Sequence, residues 1–282
     1  WARLRRCPPY DTHEDYRMAA LPDCQTLLLS LEAGVLHVTL NRPECRNAMS
    51  LKMVHELCAV LDSIKNDSGV RAMVLRGAAG HFCAGGDIKD MAGARAAGAE
   101  AFRELNRAFG AMLEQAQHCP QVVVAVLEGA VLGGGFGLAC ISDIAIASDD
   151  AKFGLPETTL GIIPAQIAPF VVKRIGLTHA RRLALTAARF DGNEAERLGL
   201  VHFSESDADA LEVRLQQVLK QIRQCAPQAN AQTKALLLAT EQEALSPLLD
   251  KAAEQFAAAV TGAEGAEGTM AFVQKRAPNW AQ

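Results

Sequence analysis

Val122-Val123-Val124-Ala125-Val126-Leu127 is an apolar run of strand length, and Gly129, Gly133, Gly134, Gly135 and Gly137 follow it into a helical Leu138-Ala139-Cys140-Ile141 and a second apolar run, Ile144-Ala145-Ile146-Ala147. Apolar residues at every position, rather than at alternate ones, mark a strand covered on both faces, the setting of a parallel sheet. Strand, helix and strand in succession give the α/β class. Upstream, Leu27 to Leu31 and Val35 to Leu40 flank Glu32, Ala33 and Gly34 as a β-hairpin. Ser50 is a good N-cap, and Leu51, Val54, Leu57, Cys58, Leu61 and Ile64 then recur at helical spacing. A short strand over Ala72 to Arg76 ends at Gly77. The small, polar stretch from Gly93 to Gly98 reads as a mobile loop, and a long helix follows to about Gln117. Beyond Ala165 the strand signal fades, and amphipathic helices with breaks near Gly176, Gly192, Pro227 and Pro247 take over. The expected plan is a flexible extension over residues 1–24, an α/β core over 25–199 and a helical C-terminal region over 200–282. No internal repeat stands out.

A chain of 282 residues, 50% hydrophobic and 21% charged, buries a sizeable core, which excludes disordered and fibrous classes. No uninterrupted apolar run reaches the roughly 20 residues of a bilayer crossing, and the mean hydropathy of +0.07 is that of a soluble chain. A net charge of −4 provides no electrostatic footprint for nucleic acid or an anionic membrane. The eight cysteines form no CxxC pair and several sit in apolar runs, so they read as reduced thiols rather than a disulfide framework. Arg3, Arg5 and Arg6 precede Pro8, Pro9 and acidic residues without an apolar h-region, unlike a secretory signal, and the expected location is the cytoplasm.

There is no GxxxxGK, GxSxG or HExxH, and no strand followed by GxGxxG, which removes the simplest nucleotide, hydrolase, zinc and dinucleotide readings. His81 beside a glycine loop is open to two readings, a base or a packing residue. Two glycine loops each follow an apolar strand: His81-Phe82-Cys83-Ala84-Gly85-Gly86-Asp87 and Leu132-Gly133-Gly134-Gly135-Phe136-Gly137. They are either an oxyanion hole, with backbone N–H groups and a helix N-terminus aimed at one oxygen, or two tight strand-to-helix connections. Phe153-Gly154-Leu155-Pro156-Glu157 leads to Ile162-Ile163-Pro164 and holds a carboxylate in an apolar, proline-stiffened segment. Desolvation there suits Glu157 to general acid/base work, while the alternative is a carboxylate that caps a helix.

Together these elements resemble the crotonase, or enoyl-CoA hydratase/isomerase, superfamily. The resemblance rests on Leu40-Asn41-Arg42-Pro43 with Asn47-Ala48, on Phe82 to Ile88, on Gly133-Gly134-Gly135, on Asp143-Ile144, on Phe153 to Glu157 and on Phe272-Val273-Gln274-Lys275-Arg276. It implies a spiral of ββα units with a helical C-terminal region, homotrimers that commonly pair into hexamers, and an acyl-CoA substrate. By resemblance, Gly86 and Gly134 are the backbone donors to the thioester carbonyl. Ala84, Asp87, Ile88 and Lys89 form the wall beside CoA, and Lys275 meets its phosphates. No metal and no cofactor beyond the substrate's own CoA is expected.

Typical hydratases of the family place a first glutamate where this chain has Gly137, and a second where it has Glu157. Together with Ala165-Gln166-Ile167-Ala168-Pro169-Phe170-Val171-Val172, this pattern resembles the bacterial glutaconyl-CoA hydratase branch. Its members act on 3-methylglutaconyl-CoA in leucine breakdown and on isohexenylglutaconyl-CoA in acyclic terpene breakdown. Loss of a glutamate at 137 would vacate space and remove a charge, which suits a branched substrate carrying its own carboxylate, whereas tight helix packing is the other account of Gly137. Gln166, Lys173 and Arg174 are the candidates to hold that carboxylate. The expected activity is hydration of such a thioester, the isohexenyl chain slightly preferred. The rivals are a double-bond isomerase using Glu157 alone, and a non-catalytic acyl-CoA- or RNA-binding protein.

Overall fold

In a computed structural model of the chain, residues 20–282 are described, with the backbone alone for residue 88 and residues 94–97. Most of the extension expected over residues 1–24 therefore lies outside the described residues. β1 (Leu27–Glu32) and β2 (Val35–Leu40) form an antiparallel hairpin. Its two linking residues, Ala33 and Gly34, have φ of 48° and 74°, the pair of positive values that matches the twist of the flanking strands. A Cβ on Gly34 would stand 2.8 Å from the Gly69 carbonyl oxygen, so glycine is needed there.

β3 (Ala72–Gly77), β4 (Val122–Leu127), β6 (Ile144–Ser148) and β8 (Phe203–Glu205) add in parallel to β2, making a six-stranded sheet in the order β1-β2-β3-β4-β6-β8. β5 (Ala130–Leu132) and β7 (Lys152–Gly154) pair in parallel as a second, small sheet. β8 lies beyond the point where strands were expected to stop, so the helical C-terminal part contributes a strand to the main sheet. A three-residue strand shows no readable alternation, which is why β5, β7 and β8 escape a periodicity reading.

The ten helices of the described residues are α1 (Leu51–Ile64), α2 (Ile88–Ala97), α3 (Ala99–Gln117), α4 (Gly134–Ile141), α5 (Ala168–Thr186), α6 (Gly192–Arg197), α7 (Ala208–Gln224), α8 (Pro227–Ala239), α9 (Leu245–Thr261) and α10 (Ala263–Val273). Ser50 caps α1 as expected, its hydroxyl accepting from Met53 N at 3.2 Å. The stretch from Gly93 to Gly98 is not a loop: α2 runs to Ala97, and only Gly98, at φ 100°, separates it from α3. The error lay in reading small residues as mobile, because Ala92, Ala94, Ala96 and Ala97 are the strongest of helix formers.

Both faces of the sheet are covered. Val123, Ala125 and Leu127 of β4 point into a large core shared with α1, α3, α4 and α5. Val124 and Val126, on the opposite face, meet Leu211, Leu215, Val218, Leu219 and Ile222 of α7. Each such buried aliphatic side chain stabilises the fold by about 1.5–3 kcal/mol. The seven described cysteines are free, and burial pushes the thiols of Cys83 and Cys140 up to about 11 and about 12, so both are uncharged packing groups. Among the described residues, no helix is long and apolar enough to cross a membrane.

Candidate active site

The two glycine loops are zipped together by backbone. Phe82 N donates to Glu128 O at 2.8 Å, Cys83 N to Ala130 O at 2.8 Å and Leu132 N to Cys83 O at 2.9 Å. On the other side of the first loop, Met49 N donates to Gly85 O at 2.8 Å and Asp87 N donates to Met49 O at 3.0 Å. In a parallel bridge those bonds use the groups flanking Gly86, so the N–H of Gly86 itself is turned away from Met49. Gly85, at φ 110°, makes the turn that allows this. Gly134 opens α4, where the first-turn N–H groups have no carbonyl within the helix. Gly86 and Gly134 line the same cavity, of about 190 Å³. Two backbone N–H groups on one cavity, one of them at a helix N-terminus, can hold an oxygen on which negative charge develops.

Residues of the Asn41-Arg42-Pro43 motif brace the first loop. Arg42 Nη2 pairs with Asp87 Oδ2 at 2.6 Å, and Arg42 Nη1 donates to Ala48 O at 2.7 Å. Asp87 Oδ1 accepts from Lys89 N at 2.7 Å and so caps α2. Burial by itself would raise the Asp87 carboxyl, but the Arg42 hydrogen bond and the Lys89 N–H outweigh it and hold the group below the ordinary carboxylate range. Asn47 is fully buried, its Oδ1 accepting from Arg42 N at 2.8 Å and its Nδ2 donating to Ala78 O at 3.0 Å and His81 O at 2.6 Å.

Glu157 stands at the start of a single 3₁₀ turn, Glu157–Leu160, just after β7. Phe153, stacked on Phe190 at 5.5 Å and edge-on to Phe136 at 6.4 Å, anchors the strand before it. Gly133 has φ 48° and ψ −113°, and a Cβ there would lie 2.9 Å from Glu157 Oε1 and 3.5 Å from Gly85 Cα. A bare backbone at Gly133 thus lets the carboxylate and both loops meet. Glu157 Oε2 is buried without a hydrogen-bond partner. Burial raises the Glu157 carboxyl above the ordinary range, only partly offset by its own backbone N–H and by Arg189. A desolvated carboxylate aimed into a cavity is suited to taking and giving protons.

Among the expected site residues, Gly86, Asp87, Gly134 and Glu157 come together on this cavity. Ala84 is not part of its lining, and its N–H donates to Arg46 O at 3.0 Å. Lys89 is exposed and faces a neighbouring groove with His55 and Asp90. The side chain of Ile88 lies outside the described residues. Lys275 is exposed just past α10 at φ 53°, away from the lining. His81 has a packing position, its Nδ1 accepting from Ala130 N at 3.2 Å. Of the three candidates for a distal carboxylate, Gln166 lines the cavity. Lys173 instead pairs with Glu241, and Arg174 donates to Leu200 O at 2.9 Å and Ser142 O at 3.1 Å.

Gly137 does not leave a vacancy. A Cβ there would overlap Ile167 Cγ2, with Ile167 Cβ at 3.2 Å and Leu113 Cδ1 at 3.4 Å, so tight packing is the account of this glycine. Residues that the sequence reading did not single out are Phe102, Leu105, Asn106 and Phe109 of α3, which wall the cavity opposite Ile162 and Ile163. Their spacing is helical, a signal any amphipathic helix carries.

Residues 30–282 match the enoyl-CoA hydratase/isomerase family, and the chain belongs to it. It is a hydratase-type enzyme, and the family acts on acyl-CoA thioesters. The structure of Pseudomonas aeruginosa AtuE is 74% identical, with a TM-score of 0.91 over 92% of this chain and 100% of that one. An enoyl-CoA hydratase/isomerase from Marinobacter aquaeolei is 59% identical, with a TM-score of 0.90 over 92% and 100% of the two chains. The 2,3-dehydroadipyl-CoA hydratase of Escherichia coli (strain K12) is 31% identical over 255 residues, which is 90% of this chain and 98% of that protein.

Proposed function

We propose that the enzyme adds water across the α,β double bond of a branched glutaconyl-type CoA thioester, with the isohexenylglutaconyl chain of acyclic terpene breakdown preferred to the 3-methylglutaconyl chain of leucine breakdown. The observation that carries this reading is the meeting of Gly86, Gly134 and Glu157, whose buried Oε2 has no partner, on one otherwise largely apolar cavity. Phe102, Leu105 and Phe109 suit a long apolar branch. A relative named for 2,3-dehydroadipyl-CoA, itself an acyl chain that ends in a carboxylate, adds support for a carboxylated substrate.

In the proposed reaction, the N–H groups of Gly86 and Gly134 hold the thioester oxygen. The Glu157 carboxylate takes one proton from water as the water oxygen bonds to C3, and the C2–C3 π electrons move onto the thioester as an enolate. The enolate then collapses as Glu157 returns the proton to C2, giving a 3-hydroxyacyl-CoA. Each backbone donor aimed at the developing charge contributes about 10²–10³ in rate. One carboxylate serves both steps, and no group beyond the substrate's CoA is required. Exposed Phe256, Val260, Phe272 and Val273 on the C-terminal helices give this region an apolar surface for self-association, as a trimer or a pair of trimers.

Incubating the purified protein with isohexenylglutaconyl-CoA, 3-methylglutaconyl-CoA and crotonyl-CoA tests this reading, following loss of the conjugated thioester absorbance and weighing the products. Gain of one water on the carboxylated substrates is the expected result. Bond migration without water on all three would replace hydration by isomerisation.

A further inference from the structure

One polar element of the cavity has no part in the proton transfers. Asn106 on α3 and Gln166, in the segment leading to α5, meet through their amides, Gln166 Nε2 donating to Asn106 Oδ1 at 3.0 Å. Both line the cavity beside Phe109 and Ile163. The Gln166 amide is seated in a notch at Gly110. A Cβ on Gly110 would fall on Gln166 Oε1, 2.7 Å from Gln166 Cδ and 3.1 Å from Arg107 Nη1. A residue with any side chain at 110 would therefore move the amide, although the helix would accept it, since alanine is favoured over glycine there by about 1 kcal/mol.

The direction of the amide bond decides what the pair offers. Asn106 Oδ1 is occupied as an acceptor and Gln166 Oε1 is pressed into the Gly110 notch near the Arg107 guanidinium. Three N–H groups have no partner among the described residues: the two on Asn106 Nδ2 and the second on Gln166 Nε2. Arg107 is exposed and its Nη2 pairs with Glu114 at 3.1 Å, so the amides themselves supply the donors. Asn106 is exposed and Gln166 half-buried, so these donors stand at the open edge of the apolar cavity, where an acceptor on the acyl chain would replace water. Charge-assisted bonds to an anion are about twice as strong as neutral ones. Neutral amides also hold an anion without placing a lysine or arginine where it would pair with Glu157.

We propose that the Asn106–Gln166 amide pair, seated by Gly110, is the specificity element of this enzyme and receives a carboxylate borne on the acyl chain of the thioester. This assignment rests on the carboxylated substrate proposed above. It makes Gly110 a positioning residue that acts through Gln166.

The test compares 3-methylglutaconyl-CoA with 3-methylcrotonyl-CoA, which differ only by the carboxylate, on the wild type and on Gln166→Met and Gly110→Ala. The expected result is a wild-type preference for the carboxylated thioester that falls by about 10-fold or more in Gln166→Met, chiefly through KM, the scale of one charge-assisted hydrogen bond. Gly110→Ala, which keeps the glutamine but unseats it, lowers the same ratio while retaining the wild-type thermal midpoint or exceeding it. A wild-type preference that survives in both variants overturns the amide pair alone and leaves the carboxylated substrate standing. A preference lost in Gln166→Met but intact in Gly110→Ala overturns the seating role of Gly110. No wild-type preference between the two thioesters overturns both proposals.

Discussion

Ile167 occupies the space in front of Gly137: a Cβ on that glycine would overlap the Ile167 Cγ2 methyl and lie 3.4 Å from Leu113 Cδ1. Ile167 is itself 3% exposed and fixed in the core, so it has little room to yield. The pair behaves as one unit of volume shared between α4 and the segment before α5. Gly137→Ala is expected to destabilise the fold by about 1–3 kcal/mol, the range of an overpacked core. Ile167→Ala opens the space, so the double variant should lose less than the sum of the two single variants. Urea unfolding of the four proteins measures that coupling, and simple additivity would contradict the packing account.

Glu157→Gln is expected to abolish hydration and yet to stabilise the protein at neutral pH. Its folded carboxyl titrates above the ordinary range because burial disfavours the charge. Between the ordinary value and the raised one, the folded state binds more protons than the unfolded state, so stability falls as pH rises through that window. The glutamine variant lacks this loss. Its thermal midpoint should exceed that of the wild type at neutral pH, and the pH-dependent part of the difference should disappear in acid, below the ordinary carboxylate range. Melting curves across the acid-to-neutral range check the sign.

The ion pair of Arg42 with Asp87 should show the opposite dependence. Asp87 is held below its ordinary range, so the stability it contributes is present above the unfolded value and lost as pH falls through the folded one. Arg42→Met leaves a buried carboxylate with one partner fewer and is expected to cost about 3 kcal/mol, the low end for breaking a buried pair, since the Arg42 side chain keeps 19% of its surface in water. The same variant frees the loop that turns Gly86 into the cavity, so kcat should fall with it. A variant with wild-type kcat would separate the brace from the site.

Gly133→Ala places a Cβ on a backbone at φ 48° and ψ −113°, against Glu157 Oε1. Backbone strain of this kind costs about 1–3 kcal/mol. Because the clash pushes the carboxylate rather than the walls of the cavity, kcat should drop more than KM changes. Steady-state kinetics on the best of the three thioesters reads the split.

Long elements with clear chemistry were legible from the chain. Val35–Leu40 and Val122–Leu127 have the bounds their apolar runs suggest, and α1 begins where Ser50 caps it. Gly86, Gly134 and Glu157 were legible as separate motifs, and the fold supplies their meeting point. Other features depend on partners remote in sequence. Nothing local to Gly137 announces that Ile167 fills its place, and nothing local to Gly110 announces the amide of Gln166. Asn106 looked like one more polar position on an amphipathic helix until α3 was set against residues 162–167. Alanine-rich α2 misled for a different reason, its small side chains leaving no apolar period to read.

The two N–H donors of the proposed site, on Gly86 and Gly134, belong to the main chain, whereas the flanks of the cavity are built from side chains of α3 and of residues 162–167. Point substitution erases side chains and, proline aside, leaves peptide N–H groups in place. In the proposed reaction the grip on the thioester oxygen is thus inherited with the backbone, Glu157 is a side chain at the reacting bond that substitution can remove, and the half facing the acyl tail is free to drift. New tails are open to such a scaffold by ordinary mutation, with the main-chain donors at its head handed down intact.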